Sequence, residues 1–413
     1  MLLEFSCANH KSIKDKILFS TIASNDTSHE DYLKSFGRNK ILRSMVIYGP
    51  NGSGKSNFID ALEFSKFLVC KSMSFQPGQK VPQCSHKLNS DSVPSEYEFQ
   101  FIKNDVRYSY GFSVLECMIA EEYLFFFPNG RQTKIFERNG LQILPGNKYK
   151  KNEFEVAKDI LKENRLFLSC LANYSNLKEV EAAFKFFMED MISYNPQANN
   201  WIEYSLKLMK ENNEIKKLFL QFMDEIGTGV KDIKPEIKKV KMNPNDLPDI
   251  LPNEVKTILT SGEVSKIDTK IVYDKFETDL MSEESRGIKK LFEIICPMID
   301  ILSKGKILLW DEIETGLHES IVHYIIETFN KAKIGEFAQL IFTTHDTSLL
   351  DPKIFRRDQI WFTQLDNERG TDLYSLLEIK NVRKNENLIK GYIEGKYGAI
   401  PMLNSSFFNF IDQ

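Results

Sequence analysis

Eight residues, 49-GPNGSGKS-56, have the spacing to hold a polyphosphate. Gly49, Gly52 and Gly54 let a backbone turn tightly enough to aim its N–H groups at phosphate oxygens. A helix that follows adds its free amides and its dipole. The stretch fits G-x-x-x-x-G-K-[ST] without deviation, and it sits between an apolar strand pattern and a helical one, the context that the motif requires. Asn51, Gly52, Ser53, Gly54, Lys55, Ser56 and Asn57 are the expected nucleotide contacts, with Lys55 on the β- and γ-phosphates and Ser56 on Mg²⁺. A second cluster, 306-KILLWDEIE-314, is an apolar strand ending in acids. Burying 307-ILLW-310 carries Asp311 to the strand's carboxyl end, where doubly wound sheets place ligands. Asp311 suits a water-mediated hold on Mg²⁺, and Glu312 suits a base that orients or deprotonates the attacking water. His345 follows another apolar run. Alone it would be read as structural; after the acidic pair it is expected to touch the γ-phosphate or hold that water. The stretch 281-MSEESRGIKKL-291 opens a helix, which Ser282 or Ser285 can cap. The same helix start, through Ser285 and the Gly287 N–H, can bind the γ-phosphate of an ATP held by a second protomer.

These groups need rigid elements behind them. The segment 1-MLLEFSCANHKSI-13 alternates apolar and polar residues and reads as a strand. Tyr97, Phe99 and Phe101 alternate, as do Tyr108, Tyr110 and Phe112, which predicts an antiparallel hairpin with one buried face turning at 103-KNDV-106. A further strand, 118-MIAEEYLFFF-127, ends in a Pro-Asn-Gly turn. From about 150 to 230 the pattern is helical, including 177-LKEVEAAFKFFMEDMI-192 and the stripe Ile215, Leu218, Phe219, Phe222, Met223, Ile226. Prolines in 234–256 break regular structure, strand character returns over 269–277, and helix and strand then alternate through 306–344. The expectation is an α/β protein with a mixed central sheet, an antiparallel β subdomain and a helical insertion. Three regions follow: an N-terminal lobe over 1–150, the insertion over 151–265, and a C-terminal lobe over 266–413.

The composition narrows the class of function. The 413 residues, 42% of them hydrophobic, suffice for a large core or several lobes. A net charge of −4 carries no global basic footprint, so nucleic acid is not implied, although a local patch is allowed. The six cysteines are scattered without a Cys-x-x-Cys pair, and Cys84 with His86 falls short of a metal site. Neither a signal peptide nor an apolar run of membrane-spanning length is present, which points to the cytoplasm.

The phosphate loop, helix start, acidic strand end and His345, in that order, resemble the ABC-type ATPase heads of the Rad-fifty, SMC and RecF group. That resemblance implies ATP as nucleotide, and it assigns Lys11, in 9-NHKSI-13, to the basic residue that approaches the nucleotide. The family signature Leu-Ser-Gly-Gly-Gln is reduced here to Ser285 and Gly287 with Arg286 between them. The family's glutamine loop has three candidates, Gln76, Gln79 and Gln83. A closer resemblance is to the bacterial abortive-infection and restriction-linked ATPases (AbiLi- and RloA-like, related to the overcoming-lysogenization-defect, or OLD, nucleases). It rests on 4-EFSCANHKSIKDKILFS-19, 281-MSEESRGIKKLF-292, 310-WDEIETGLH-318, 342-FTTHDTSLLD-351, 357-RDQIWF-362 and 391-GYIEGKYGAIP-401. This implies an ATP-dependent sensor and switch in antiphage defence, pairing with itself through shared ATP sites and answering a phage-encoded trigger. It also implies a separate effector chain, of a kind often built on a TOPRIM-like nuclease fold, since the residues after His345 are few for such a domain. His318 belongs to the same pattern, as a shaper of a dimer-facing loop or as a packing residue. The rival expectation is a RecF-like DNA-repair ATPase, which predicts salt-sensitive DNA affinity.

Overall fold

The computed structural model describes residues 1–89, 92–195, 201–241, 263–332, 337–383 and 386–401. The chain divides into two compact units, one of residues 1–195, 304–314 and 322–413, the other of residues 196–303 and 315–321.

The first unit is built on a six-stranded sheet in the order Met191–Tyr194, Ile307–Trp310, Gln339–Thr343, Ser44–Tyr48, Ile360–Leu365, Thr371–Ser375. The first five strands run parallel, and the last is antiparallel to its neighbour. Every residue of Ser44–Tyr48, Ile307–Trp310 and Gln339–Thr343 is buried. Parallel strands covered on both faces read as continuous apolar runs, which is why 307-ILLW-310 is uninterrupted. Two glutamines pin the register. Gln339 accepts from Leu2 N at 2.7 Å and donates to Leu2 O at 3.0 Å, while Gln359 donates to Ser44 O at 2.7 Å.

A seven-stranded antiparallel sheet belongs to the same unit: Gln142–Pro145, Thr133–Asn139, Met118–Phe127, Val106–Leu115, Ser95–Lys103, Leu2–Ala8, Ile17–Ser20. The expected hairpin pairs Tyr97 with Phe112, Phe99 with Tyr110 and Phe101 with Tyr108, and turns at Asn104 and Asp105, both at positive φ. The Phe101 and Tyr108 rings stack at 5.3 Å, and Phe186 lies on Phe101 at 4.0 Å. Aromatic pairs of this kind contribute about 0.5–1.5 kcal/mol beyond area burial.

The stretch 177–192 departs from the continuous helix that its periodicity suggests. Helix Lys178–Lys185 widens into a π-helical turn, Phe186–Asp190, and then becomes the strand Met191–Tyr194. The cause is long-range: Phe186 and Phe187 insert against the aromatic face of the antiparallel sheet, and Met191–Tyr194 pairs with the acidic strand. Burial between sheet and helices also holds one ion pair. Glu122 and Arg138 are fully enclosed, 3.3 Å apart. Glu122 further accepts from Phe167 N at 2.6 Å and Leu168 N at 2.9 Å at the start of helix Phe167–Tyr174. Glu122→Gln keeps the shape but leaves the Arg138 guanidinium buried without a counter-charge. It should cost about 3–5 kcal/mol, read as a lower urea midpoint at unchanged slope; an unmoved midpoint would show the pair to be dispensable.

In the second unit, helices Ile202–Glu211 and Asn213–Glu225 are followed by the strand Asp232–Lys234, which pairs with Lys270–Val272. The expected strand over 269–277 is instead a hairpin, Lys270–Val272 with Glu277–Asp279, because Asp274 and Lys275 turn the chain. Ile237–Lys241 pairs with Glu263–Ile267, so the proline-bearing stretch over 234–256 holds regular structure at its start; residues 242–262 lie outside the described residues. Helix Arg286–Lys304 returns the chain to the first unit, and Phe219 of the amphipathic stripe packs on its Phe292 at 4.7 Å. Among the described residues, no helix is long and apolar enough to cross a membrane.

Candidate functional site

Parallel pairing puts the carboxyl ends of Ser44–Tyr48, Gln339–Thr343 and Ile307–Trp310 side by side. Adjacent strands lie about 4.8 Å apart, so the three ends span about 10 Å. Gly49, Thr344 and Asp311 therefore leave the sheet within reach of one phosphate chain.

The loop after Tyr48 turns into helix Lys55–Lys71, whose first N–H groups lie outside the helical ladder. Gly54 sits at φ 104, and a Cβ there would overlap Thr371 Oγ1, so both conformation and space demand glycine. Ser53 Oγ meets Thr363 Oγ1 at 2.6 Å. Asn51, Gly52 and Ser56 are exposed at the loop and helix start. Lys55 curls over its own loop, its Nζ donating to Gly49 O at 2.7 Å and Pro50 O at 3.2 Å. Burial holds its ammonium down to about 8, against the upward pull of Asp311, Glu312 and Glu314.

The acidic turn is pinned by the neighbouring strand. Thr343 Oγ1 donates to Asp311 Oδ1 at 2.6 Å and accepts from Glu312 N at 2.8 Å. Ile313 N donates to Thr343 O at 3.1 Å. Glu312 is held at φ 53, a left-handed conformation that costs a non-glycine residue roughly 1–2 kcal/mol. Glu314 accepts from Thr344 Oγ1 at 2.8 Å and from His345 N at 2.7 Å, so the acidic turn also fixes the histidine loop. The His345 imidazole is held below its usual range, first by desolvation and next by the Lys55 ammonium, with Glu314, Glu312 and Asp311 opposing. Lys55, three carboxylates and His345 thus feel one another's fields, and a neutral imidazole there can both donate to and accept from a water.

Lys11 lies on the far side of the phosphate loop in a left-handed turn, φ 50. Its N–H donates to Cys84 O at 2.6 Å, and its Nζ pairs with Asp60 Oδ1 at 2.6 Å. The other Asp60 oxygen meets His10 Nε2 at 2.8 Å, and His10 Nδ1 meets the Tyr97 hydroxyl at 2.7 Å. Ser12 Oγ accepts from Asn57 Nδ2 at 2.6 Å and contacts Thr371 Oγ1 at 2.7 Å. A cavity of about 1110 Å³ opens on Lys11 and Ser12, walled by Gln83, Cys84, His86 and Arg369.

The first unit thus brings together Lys11, Asn51 to Asn57, Asp311, Glu312 and His345. Ser285 and Gly287 lie in the second unit. There Ser285 Oγ accepts from Ile288 N at 3.2 Å and caps helix Arg286–Lys304, whereas Ser282 hydrogen-bonds Asp279 instead. Ser285, Arg286 and Gly287 are all exposed, and the nearest atom to a Cβ on Gly287 is Ser285 Oγ at 3.9 Å. Among the described residues, no side chain crowds that position closely enough to require a glycine. His318 accepts from Ser320 N at 3.2 Å at the start of helix Glu319–Lys331. Gln83 spends its amide on Ser85, Ser95, Val114 O and Cys117 N, while Gln76 and Gln79 hydrogen-bond each other at the surface. The strand beside the acidic strand leaves the sheet at Tyr194; Gln197 follows in sequence and lies outside the described residues. His86 Nδ1 accepts from Leu88 N, and no three potential metal ligands cluster among the described residues. Asp60, Thr343 and Glu314 join the site from positions that none of the sequence motifs marks as a contact. Asp60 lies one helical turn beyond Ser56 and Glu314 two residues beyond Glu312, both detectable spacings; Thr343 carries no local signal.

Residues 44–351 match the family described as "AAA domain, putative AbiEii toxin, Type IV TA system". The chain belongs to this AAA-domain family. It is an ATP-binding, ATP-hydrolysing α/β protein, and the matched span runs from the phosphate-loop strand through His345. No curated protein matches it. Among solved structures it is similar to the SmcHead bound to the C-winged helix domain of ScpA, at 14% identity and a TM-score of 0.43 over 91% of this chain and 97% of that one. It is likewise similar to the SMC head domain from Thermotoga maritima, at 12% identity and a TM-score of 0.42 over 91% and 98%.

Proposed function

We propose that this AAA-domain protein is the ATP-driven switch of an abortive-infection system, in which two protomers share their ATP sites and control a separate effector, a nuclease of TOPRIM-like type. One observation carries the reading: Lys55, Asp311, Glu312 and His345 converge at the carboxyl end of the central sheet, while the helix start at Ser285 and Gly287, capped by Ser285, is exposed. Lys55 leaves its loop carbonyls for the β- and γ-phosphates. Glu312 takes the proton of the attacking water, and His345 orients that water against the γ-phosphate. Ser56 and Asp311 offer a hydroxyl and a carboxylate, the hard oxygen donors that Mg²⁺ prefers, and the ion when bound neutralises charge between the phosphates. The cavity beside Lys11 and Ser12 takes the nucleoside end. The partner protomer's Ser285 hydroxyl and Gly287 N–H complete the γ-phosphate site. The phage trigger acts on this assembled state, and the effector is released or activated with it.

Ser285→Arg tests the shared site. The variant should bind ATP with ordinary affinity, stay monomeric with ATP on a sizing column, and hydrolyse it at under about a hundredth of the normal rate. Normal hydrolysis would return Ser285 to a helix cap and nothing more.

A further inference from the structure

The segment 391-GYIEGKYGAIP-401 supplies no group to the ATP site, yet it is packed behind it. After the short helix Leu388–Ile393 the chain folds back on itself. The buried Tyr392 donates its hydroxyl to Ala399 O at 2.8 Å, closing the turn. Tyr374, on the edge strand of the central sheet, donates to Tyr397 O at 2.8 Å, and the Tyr397 hydroxyl donates to Glu386 at 2.8 Å. Space demands the glycines: a Cβ at Gly391 would overlap the Tyr397 ring, and one at Gly398 would stand 2.7 Å from the Tyr374 hydroxyl. The closed segment presents Tyr392 to Phe362 at 5.7 Å, stacked, and to Tyr48 at 5.8 Å.

Tyr48 is where this packing meets the chemistry. It is fully buried and immediately precedes the phosphate loop. Its hydroxyl donates to the carbonyl of Asp346, the residue after His345, at 3.1 Å. Its own carbonyl accepts from Thr363 Oγ1 at 3.3 Å, and Thr363 contacts Ser53 Oγ in the phosphate loop. A buried ring packed by its neighbours has little rotamer freedom. Its hydroxyl therefore adds a second hold on the histidine loop beside that of Glu314, and Tyr392 packs against the ring.

We propose that Tyr392 and Tyr48 are positioning residues: the C-terminal segment braces the Tyr48 ring, and the Tyr48 hydroxyl holds the loop that carries His345 at the γ-phosphate. The proposal rests on the ATP-hydrolysis reading above. Loosening the segment slows turnover while the phosphate loop still binds nucleotide, which gives the segment a regulatory lever on the site.

The test joins hydrogen exchange across residues 343–350 with steady-state hydrolysis, on the full chain. Tyr48→Phe, which removes only the hydroxyl, and Tyr392→Ala should each speed exchange in that loop. Each should lower kcat by about tenfold to a hundredfold while the Kd for ATP stays within about threefold. Tyr392→Phe keeps the ring and should recover most of the rate. If Tyr392→Ala unfolds, Tyr48→Phe still decides. Exchange in Tyr48→Phe equal to the parent overturns the proposal, and so does faster exchange with an unchanged kcat. Should the parent chain bind ATP without hydrolysing it, the hydrolysis reading falls, and the exchange result alone decides the brace.

Discussion

Glu312→Gln should bind ATP as tightly as the parent chain and turn it over at about a hundredth to a ten-thousandth of the rate. Glutamine keeps the size and the backbone, so the Glu312 N–H bond to Thr343 Oγ1 survives and the φ 53 turn is retained. What is lost is a carboxylate able to take a proton from water. The adjacent Asp311, anchored by the Thr343 hydroxyl at 2.6 Å, is committed elsewhere and cannot substitute. Separate measurement of nucleotide affinity and of kcat distinguishes the roles: equal loss of both would refute Glu312 as base. Because bound ATP then persists, the same variant should accumulate in the ATP-bound, protomer-paired state.

Lys55→Ala should weaken ATP binding by about two orders of magnitude or more, the worth of charge-assisted bonds to phosphate. The unliganded fold should tolerate it. Lys55 Nζ donates to the loop carbonyls of Gly49 and Pro50 there, its desolvation already works against its charge, and the loop path is set by Gly54, Thr371 and Ser53. Calorimetric titration with ATP reads the effect directly, and an unaltered isotherm would sink the phosphate-loop assignment.

Much of this arrangement was legible in the sequence because it is local. The phosphate loop, the acidic strand end and the aromatic alternation at Tyr97, Phe99 and Phe101 each lie within a few residues, and each has a period or spacing tied to one geometry. What escaped depends on distant partners. Met191–Tyr194 hides at the end of a helical pattern and becomes a strand because the acidic strand offers its edge. Thr343 ends an apolar strand like any other, and its role appears only when parallel pairing sets it beside Asp311 and Glu312. The Tyr48 and Tyr392 contact joins residues more than three hundred positions apart, a distance no sequence window spans. The helix start at Ser285 read as either cap or phosphate site; the cap is formed, and it leaves Gly287 exposed and unexplained within one chain.

The central claim, an ATP site completed by a second chain, is tested most directly by mixing two inactive variants. Lys55→Ala lacks the phosphate-loop half of the site, and Ser285→Arg lacks the helix-start half. In a twofold-symmetric dimer of the two, one of the two sites is wholly intact. A one-to-one mixture should therefore regain hydrolysis, up to about half of the parent rate if every protomer pairs with the other variant, although each variant alone is inactive. A mixture no faster than the sum of its parts, with mixed dimers demonstrated by tagged pull-down, would contradict the shared site.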